Sequence, residues 1–362
     1  MNLADMLTFA DIGQLSRIAN HYECECNGNS KHELIQSILQ MIGRREFIKQ
    51  RVDQLGVEDL RFLNMLLFAG HRQFSLEELI AFAQQSRFTE EAKQRESPRE
   101  VIAAFRQRGW LFNGSTANTR YLFEVPEDLK RRFKETLESR FKANIVKAKA
   151  EPAAYREEFD LLTKDLRELL DYVSRHEVPL NAEGIMYRRN QLQLMEKLHV
   201  SEALVGGGWR FGYGRRFKDY PSRFALLYDY AYHLRLIREE GGVLTLTASG
   251  SSFLEENKQE ALIQFVSFWL RLYKGPISNL LSLIYWIERC SAQWVTASSL
   301  FAQIGFLIRP FFYDTPESIF EERILRMMLH LGLIRIGEDG SSERFVQVTP
   351  FGSQAIQQLQ KG

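Results

Sequence analysis

Cysteine is scarce in this sequence, because the 362 residues include only Cys24, Cys26 and Cys290. A small, odd number of cysteines in a long chain argues against a disulfide framework and favours a reducing compartment. Cys24 and Cys26 stand one residue apart, so on an extended segment they would point to opposite faces and could not easily share one tetrahedral ion. We therefore expect no metal and no other cofactor.

Long apolar runs are also lacking. The most apolar stretch, 261–287, is interrupted by Arg271 and by Lys274-Gly275-Pro276, which leaves pieces of about 12 residues where a membrane-spanning helix needs about 20. The opening MNLADMLTFAD carries two aspartates and no basic segment, unlike a secretory signal peptide. These features predict a cytoplasmic protein without a membrane partner.

An excess of charge of one sign is missing as well. Lysine and arginine number 47 against 46 aspartates and glutamates, which gives a net charge of +1. This balance excludes a binder that works by bulk charge, so any nucleic-acid surface must be a local patch. The length suits roughly two to four domains.

Motifs of catalysis and nucleotide binding are absent from the sequence. It contains no G-x-x-x-x-G-K-[ST], no H-E-x-x-H, no G-x-S-x-G and no C-x-x-C, each of which would place a phosphate cradle, a metal pair, a nucleophile or a redox pair. We therefore expect a binding protein and not an enzyme.

What the sequence does contain is one signature that occurs three times. In each copy a helical run ends in a pair of residues, Gly or Leu followed by a hydrophobic residue, which we call the apolar step. A polar turn and strand-like residues follow, and a Thr or Pro begins another helix. The copies are RQRGWLFNGSTANTRYLFEVPEDL (106–129), HLRLIREEGGVLTLTASGSSFL (233–254) and HLGLIRIGEDGSSERFVQVTPFGSQAI (330–356). A helix followed by a two-stranded wing is typical of the winged-helix domain, which most often holds DNA or docks other proteins.

The first 43 residues form a separate pattern of helix, extended segment and helix. Ser30 with Glu33 predicts a capping box at the start of the second helix. Ser75 with Glu78 predicts a cap for a later helix, and Ser97-Pro98 predicts another helix start with proline in its first turn. The segment resembles the SAP-like helix-extended-helix motif, and the matching residues are Leu15, Gly28, Lys31, Leu34, Ile35 and Leu39. This motif predicts a phosphate contact at Lys31, beside the free amides of a helix start.

The predicted fold is mainly α with short β wings, an SAP-like motif followed by three tandem winged-helix units. The predicted divisions are the SAP-like motif 1–43, the first unit 44–135, a basic connector 136–158, the second unit 159–255 with a glycine-rich insertion, and the third unit 258–360.

The SAP-like start, the tandem units and the phrases RGWLF, YPSRFALLYDY and VTPFG together resemble the non-catalytic N-terminal region of bacterial XPB-type helicases and their stand-alone relatives. This resemblance implies DNA binding and partnership with a helicase motor, which this chain itself lacks. It predicts a non-enzymatic, DNA-binding accessory factor. The alternative is a protein–protein adaptor that uses its winged-helix units as docking surfaces.

The charge of the third helix indicates which of the three units could bind DNA, because this helix usually enters the major groove in a winged-helix protein. The first unit offers Arg99 and Arg106. The third unit carries Glu317, Glu321 and Glu322 where phosphate would approach, so it is expected to dock a protein, for instance the helicase.

The second unit offers a basic and aromatic stretch around its glycine-rich insertion, 205–221. Arginines could contact phosphate there, and exposed aromatic rings could stack on unpaired bases. The alternative is a loop whose aromatic rings pack inward and whose arginines are only solvated. The candidate residues are Arg188, Arg189, Trp209, Arg210, Tyr213, Arg215, Arg216 and Lys218, and Arg223 adds to the same basic stretch.

Overall fold

The computed structural model describes residues 1–89, 97–206, 208–340 and 343–360. It is mainly helical, with 55% helix and 10% strand, and its sheets are small and antiparallel. The expectation of a mainly α fold with short β elements is therefore confirmed. The chain forms two compact units, Met1–Asn144 and Ile145–Gly362, which are described separately.

The first unit combines helices with one three-stranded sheet. The strands are β1 (Gln73–Phe74), β2 (Phe112–Asn113) and β3 (Phe123–Glu124), in the spatial order β1-β3-β2. The helices are Leu3–Phe9, Ile12–His21, Lys31–Ile42, Arg45–Asp53, Val57–Phe68, Leu76–Gln85, Pro98–Gln107 and Glu127–Ala143.

Helix starts in this unit follow from local hydrogen bonds. The Ser75–Glu78 capping box is present as predicted. The helix that begins at Pro98 has a second box between Ser97 and Glu100. At Ser30 only half of the predicted box forms. The Ser30 hydroxyl accepts from the amide of Glu33, but the Glu33 carboxylate accepts from the amide of Asn27 and not from that of Ser30.

The second unit contains two sheets. One has the order β5-β7-β6 and the other β4-β9-β10-β8. The strands are β4 (Ala154–Arg156), β5 (Val178–Pro179), β6 (Ile237–Glu240), β7 (Val243–Leu246), β8 (Val295–Thr296), β9 (Ile334–Glu338) and β10 (Arg344–Val348). The helices are Leu161–Arg175, Arg188–Lys197, Ser222–His233, Ala248–Glu255, Leu262–Tyr273, Leu280–Cys290, Ala297–Ile304, Pro316–Ser318, Arg326–His330 and Pro350–Leu359. A π-helical segment, Ile319–Leu325, and a 3-10 turn, Gly305–Leu307, complete the unit.

The same order of elements occurs three times along the chain. Each copy reads helix, strand, helix, helix, strand, strand, when Pro316–His330 is taken as one helical segment and the 3-10 turn is set aside. The last strand of each copy lies between the two other strands of that copy, and in the third copy β4 extends the sheet next to β9. The three signature segments each form the end of a helix and an antiparallel strand pair, and another helix follows. The first strand of each copy, β1, β5 or β8, was not predicted, because two residues give no periodicity that a sequence can reveal.

The apolar step of each signature is a helix C-cap with the same geometry. Gly109, Arg235 and Gly332 all have positive φ, at 64°, 54° and 68°. The next residue then donates its amide to the carbonyl five positions earlier, as in Trp110 to Phe105 at 3.0 Å. This is the bonding of a Schellman motif, which ends the helix and turns the chain into the strand. Trp110 is fully buried as a result.

The predicted basic connector, 136–158, has regular structure at both ends. Its first part belongs to the helix Glu127–Ala143, and Ala154–Arg156 forms β4, which pairs with β9. The division between the two compact units falls inside it, after Asn144. The unit boundaries 44–135, 159–255 and 258–360 stay a prediction.

A buried ionic network lies in the second unit. Arg223 is fully buried and contacts Asp165 at 2.5 Å and Glu158 at 3.2 Å. Glu158 also contacts Nδ1 of His330 at 2.9 Å, and Asp165 accepts from the amide of His199 at 2.7 Å. Arg223 therefore lies in the interior and is not part of a basic surface. Charges this deep are stable only when paired, so the network fixes the helices that carry it.

We expect Asp165→Asn to destabilise the second unit by about 3–5 kcal/mol, because it leaves Arg223 with one less buried partner. Asp171→Asn on the same helix is the matched control, since it removes a partly exposed i,i+4 pair with Arg175 that contributes at most about 1 kcal/mol. Urea unfolding of the full chain measures both. Equal losses for the two variants would contradict the assigned role of the network.

Candidate nucleic-acid interface

Three candidate residues belong to the first unit. Lys31 is exposed in the first turn of its helix, and its Nζ donates to the carbonyl of Thr8 at 2.8 Å. Arg99 is exposed in the first turn of Pro98–Gln107. Arg106 is half-buried, and it donates to the side-chain oxygen of Asn113 at 3.0 Å. Lys31 and Arg99 therefore offer charge to solvent, while Arg106 connects the helix to the strand pair.

The glycine-rich insertion of the second unit is held together by its own arginines. Arg210 donates to the carbonyls of Phe217 at 2.8 Å and Tyr220 at 2.6 Å, and to the hydroxyl of Ser222. These contacts close the insertion on itself. Burial and the nearby Arg323 lower the pKa of Arg210, which is the effect expected when a cation is withdrawn from water.

Arg215 and Arg216 form ion pairs with one carboxylate. Arg216 is buried and lies 2.8 Å from Oε2 of Glu239, and Arg215 lies 3.1 Å from the same oxygen. Burial raises the pKa of Glu239, but hydrogen bonds from Arg215, Tyr228 and Arg216 outweigh it and lower the value to about 2. Both guanidinium groups are thus engaged within the protein.

The other candidates differ in exposure. Tyr213 is buried, and its hydroxyl donates to Asp314 at 2.9 Å. Trp209 is 71% exposed. Arg188, Arg189 and Lys218 are also exposed, and Arg188 donates to the carbonyl of Val205, the first residue of the insertion. Four of the eight candidates in this unit therefore face solvent without an ion pair in the described structure.

Two further exposed aromatic residues were missed by sequence reasoning. Phe312 is 81% exposed and Tyr313 is 71% exposed. They form the tip of a tight turn closed by reciprocal backbone bonds between Phe311 and Asp314, at 3.0 and 2.9 Å. Phe312 has a φ of +51°, an uncommon conformation for a bulky residue, which the tight turn imposes. The available signal was three consecutive aromatic residues directly after Pro310.

A buried ion pair brings this turn to the insertion. Arg323, on the π-helical segment, lies 2.9 Å from Asp314 through its Nε. Its Nη2 donates to the carbonyl of Phe211 at 2.8 Å. Asp314 also accepts from the hydroxyl of Tyr213, so one carboxylate and one guanidinium hold two distant loops side by side.

The result is a cluster of rings that we call the aromatic platform: Trp209, Phe211, Phe312 and Tyr313. Trp209 and Tyr313 meet edge to face with centroids 4.6 Å apart, and Phe211 lies 5.5 Å from Tyr313 and 6.0 Å from Phe312. Large exposed rings in one cluster are unusual on a surface and indicate a binding site.

A cavity of about 1030 Å³ adjoins the platform, and Trp209 belongs to both. We call it the arginine-lined cavity, because its wall contains Arg156, Arg210, Arg326 and Arg344. The wall also contains Tyr155, His330, Glu202 and Glu338, together with Ser201, Ala203, Val205, Gly206 and Gly208. Its walls come from β4, β9, β10, the helix Arg326–His330 and the start of Ser222–His233.

Three of these arginines contact carboxylates at the edge of the cavity. Arg156 pairs with Glu158, Arg326 with Glu322 and Arg344 with Glu321. Their side chains nevertheless stay 40–55% exposed. Burial raises the pKa of Glu321 although Arg344 opposes this effect.

Comparison of the chain with protein-family models, curated proteins and solved structures finds no match. In the part of the chain that the structure describes, no group of three or more His, Cys, Asp or Glu side chains could hold a metal ion. None of the helices formed by the described residues is long and apolar enough to cross a membrane.

The contacts of Glu239 predict a pH dependence. Its pKa is about 2 in the folded chain against an ordinary 4.5, so the pairing stabilises the protein above pH 4.5 and this contribution disappears as the pH falls towards 2. We expect Glu239→Gln to lower the unfolding free energy at neutral pH by about 2–3 kcal/mol and to flatten its decline in acid.

Glu240→Gln is the matched control, because Glu240 is on the same strand and pairs with Arg238 in an exposed position. Its effect should stay below about 1 kcal/mol at every pH. Urea unfolding between pH 2.5 and 7 checks both variants. A Glu239→Gln protein with the parent's pH profile would show that Arg215 and Arg216 do not depend on this carboxylate.

Proposed function

We propose that the protein is a DNA-binding accessory factor without catalytic activity of its own. We further propose that its second compact unit, Ile145–Gly362, binds unpaired strands. The observation that carries the proposal is the juxtaposition of the aromatic platform with the arginine-lined cavity. Stacking surfaces and guanidinium groups side by side are what single-stranded nucleic acid requires, because every base has a π-face and every linkage has a charge.

Within this proposal the candidate residues have two kinds of role. Trp209, Arg188, Arg189 and Lys218 contact the strand, since they are exposed. The other candidates shape the surface, because their polar groups are engaged inside the protein: Arg210, Tyr213, Arg215 and Arg216. The alternative for the insertion combined inward-packed rings with solvated arginines. Its first part fits Tyr213 and not Trp209, and its second part does not fit Arg210, Arg215 and Arg216, which bind groups of the protein.

The repeated topology supports the proposal that the chain contains three winged-helix units. In the second copy, however, the helix Ser222–His233 is buried along most of its length, so it is a core helix and cannot enter a groove. The first copy keeps Arg99 exposed. We therefore assign the contacts to duplex phosphates to the first winged-helix unit and to Lys31 of the SAP-like segment.

The accessory role itself rests on the resemblance to the non-catalytic region of bacterial XPB-type helicases. A factor of this kind would hold strands for a motor supplied by another protein. The absence of nucleotide-binding and catalytic motifs from the sequence fits such a division of work.

Trp209→Ala tests the platform. We expect it to weaken binding of an oligothymidine by about 1–3 kcal/mol, which is the typical contribution of one base–aromatic stack, and to leave the melting temperature unchanged because the ring is exposed. Fluorescence anisotropy gives the affinity and calorimetry gives the melting temperature.

Phe159→Ala is the control for this change, since Phe159 is a 51% exposed ring of the same unit that lies outside the platform and the cavity. It should bind like the parent. Parental affinity in Trp209→Ala would remove the platform from the interface.

The exposed arginines should govern the salt dependence. For Arg188→Gln/Arg189→Gln we expect the slope of log affinity against log salt to flatten by about 0.7 for each phosphate of a single strand that the variant no longer neutralises. Arg175→Gln, a similarly exposed arginine at the end of another helix, should keep the parental slope. An unchanged slope in the double variant would exclude both arginines from the interface.

The second candidate function is a protein–protein adaptor, and the exposure of Phe312 and Tyr313 favours it, because aromatic residues are enriched at the centres of protein interfaces. Glu317, Glu321 and Glu322 lie in the helical segment that follows this turn. Retention of a purified XPB-type helicase by the chain after nuclease treatment, lost in Phe312→Ser/Tyr313→Ser, would establish it. If the parent chain retains no helicase, and the double variant loses DNA affinity instead, the adaptor function is excluded.

A further inference from the structure

We propose that the arginine-lined cavity binds a phosphomonoester at the end of a DNA strand, while the bases next to that end stack on the aromatic platform. The inference rests on the proposed function, because its ligand is a strand. It adds that the protein distinguishes phosphorylated ends from hydroxyl ends.

The cavity and the platform form a continuous surface. Trp209 lines the cavity and also meets Tyr313 at 4.6 Å within the platform. A volume of about 1030 Å³ is at the upper end of the range of about 300–1,000 Å³ that holds small organic ligands. A terminal nucleotide therefore fits, with the adjoining bases at the mouth.

The number of donors on the wall favours a phosphomonoester over an internal linkage. A guanidinium has five N–H donors, and Arg156, Arg326 and Arg344 each contact a single carboxylate and remain partly exposed. An internal phosphodiester has one charge and two free oxygens. A phosphomonoester has a charge of about −1.5 to −2 and three acceptor oxygens, so it can engage several arginines at once.

His330 provides a second observation that points to a ligand. His330 lines the cavity and is only 4% exposed. Nδ1 contacts Glu158 at 2.9 Å, whereas Nε2 is buried without a hydrogen-bond partner among the described residues. A buried polar atom without a partner opposes folding unless a ligand or water satisfies it. In a neutral ring whose Nδ1–H is donated to Glu158, Nε2 is an acceptor, so the hydroxyl of a singly protonated phosphomonoester would satisfy it.

Two glycines that line the cavity leave room for a close approach by a ligand. A Cβ at Gly206 or Gly208 would meet no described atom within 4 Å, and neither glycine has a positive φ. Neither packing nor backbone conformation therefore requires glycine at these positions. The cavity is open at these two positions, so a ligand can approach the backbone closely there.

Two carboxylates also line the cavity, and the charge of one of them is partly offset. Glu202 accepts from the amides of Arg223 and Phe224 at 3.1 and 2.8 Å. It thus lies at the positive end of the helix Ser222–His233, where the helix dipole offsets part of its charge. Glu338 is exposed at the end of β9.

The test compares three oligothymidines of equal length with an internal fluorophore and full-length protein. One carries a 5′ phosphate, one a 3′ phosphate and one hydroxyl groups at both ends. We expect one of the phosphorylated strands to bind at least about tenfold more tightly than the hydroxyl strand, since charge-assisted hydrogen bonds to phosphate are the strong ones. The phosphorylated strand that binds more tightly shows whether the cavity binds the 5′ or the 3′ end.

Two variants locate the effect. Arg326→Gln/Arg344→Gln should abolish the preference for the phosphorylated end while the hydroxyl strand still binds, and Gly206→Leu should do the same by filling the cavity. Arg175→Gln is the matched control for Arg326→Gln, because each arginine forms an exposed i,i+4 pair. A calorimetric melting temperature confirms that each variant is folded.

The outcomes separate this inference from the proposed function. Equal binding of all three strands would overturn the end preference and leave DNA binding intact. Binding of none would overturn both. A preference that persists in the arginine double variant and in Gly206→Leu would place the phosphate outside this cavity and overturn the assignment.

Discussion

The ion pair between Asp314 and Arg323 is the interaction on which the candidate interface depends. Asp314 closes the turn that exposes Phe312, and it accepts from Tyr213 of the glycine-rich insertion. Arg323 holds the backbone of the same insertion through the carbonyl of Phe211. Two loops that are far apart in the chain are thereby fixed in contact. Because both charged groups are largely buried, the loss of either would leave the other uncompensated and release the platform.

A second buried network has a comparable role for the cavity. Arg223 joins Glu158 and Asp165 in the interior, and Glu158 in turn positions His330 on the cavity wall. The cavity is therefore bounded by residues whose orientation is fixed by paired charges. Such preorganisation lowers the conformational entropy that a ligand must offset on binding.

The repeated topology explains why the three copies can differ in function. Each copy depends on the same local device, a residue with positive φ after the helix followed by a buried apolar residue, as at Gly109 and Trp110. The rest of each copy is free to vary. In the second copy the helix Ser222–His233 is buried in the core, and the aromatic and basic residues of the insertion provide the exposed surface in its place.

The sequence by itself determined the features that depend on near neighbours. The capping box at Ser75, the helix start at Ser97-Pro98 and the helix–hairpin–helix order of the signatures form as predicted, because their hydrogen bonds span only a few residues. Only the tertiary structure decided which charges face solvent. Arg216 is neutralised by Glu239 and Tyr213 is bound by Asp314, and neither partner can be inferred from composition, since pairing over such distances depends on how the loops pack.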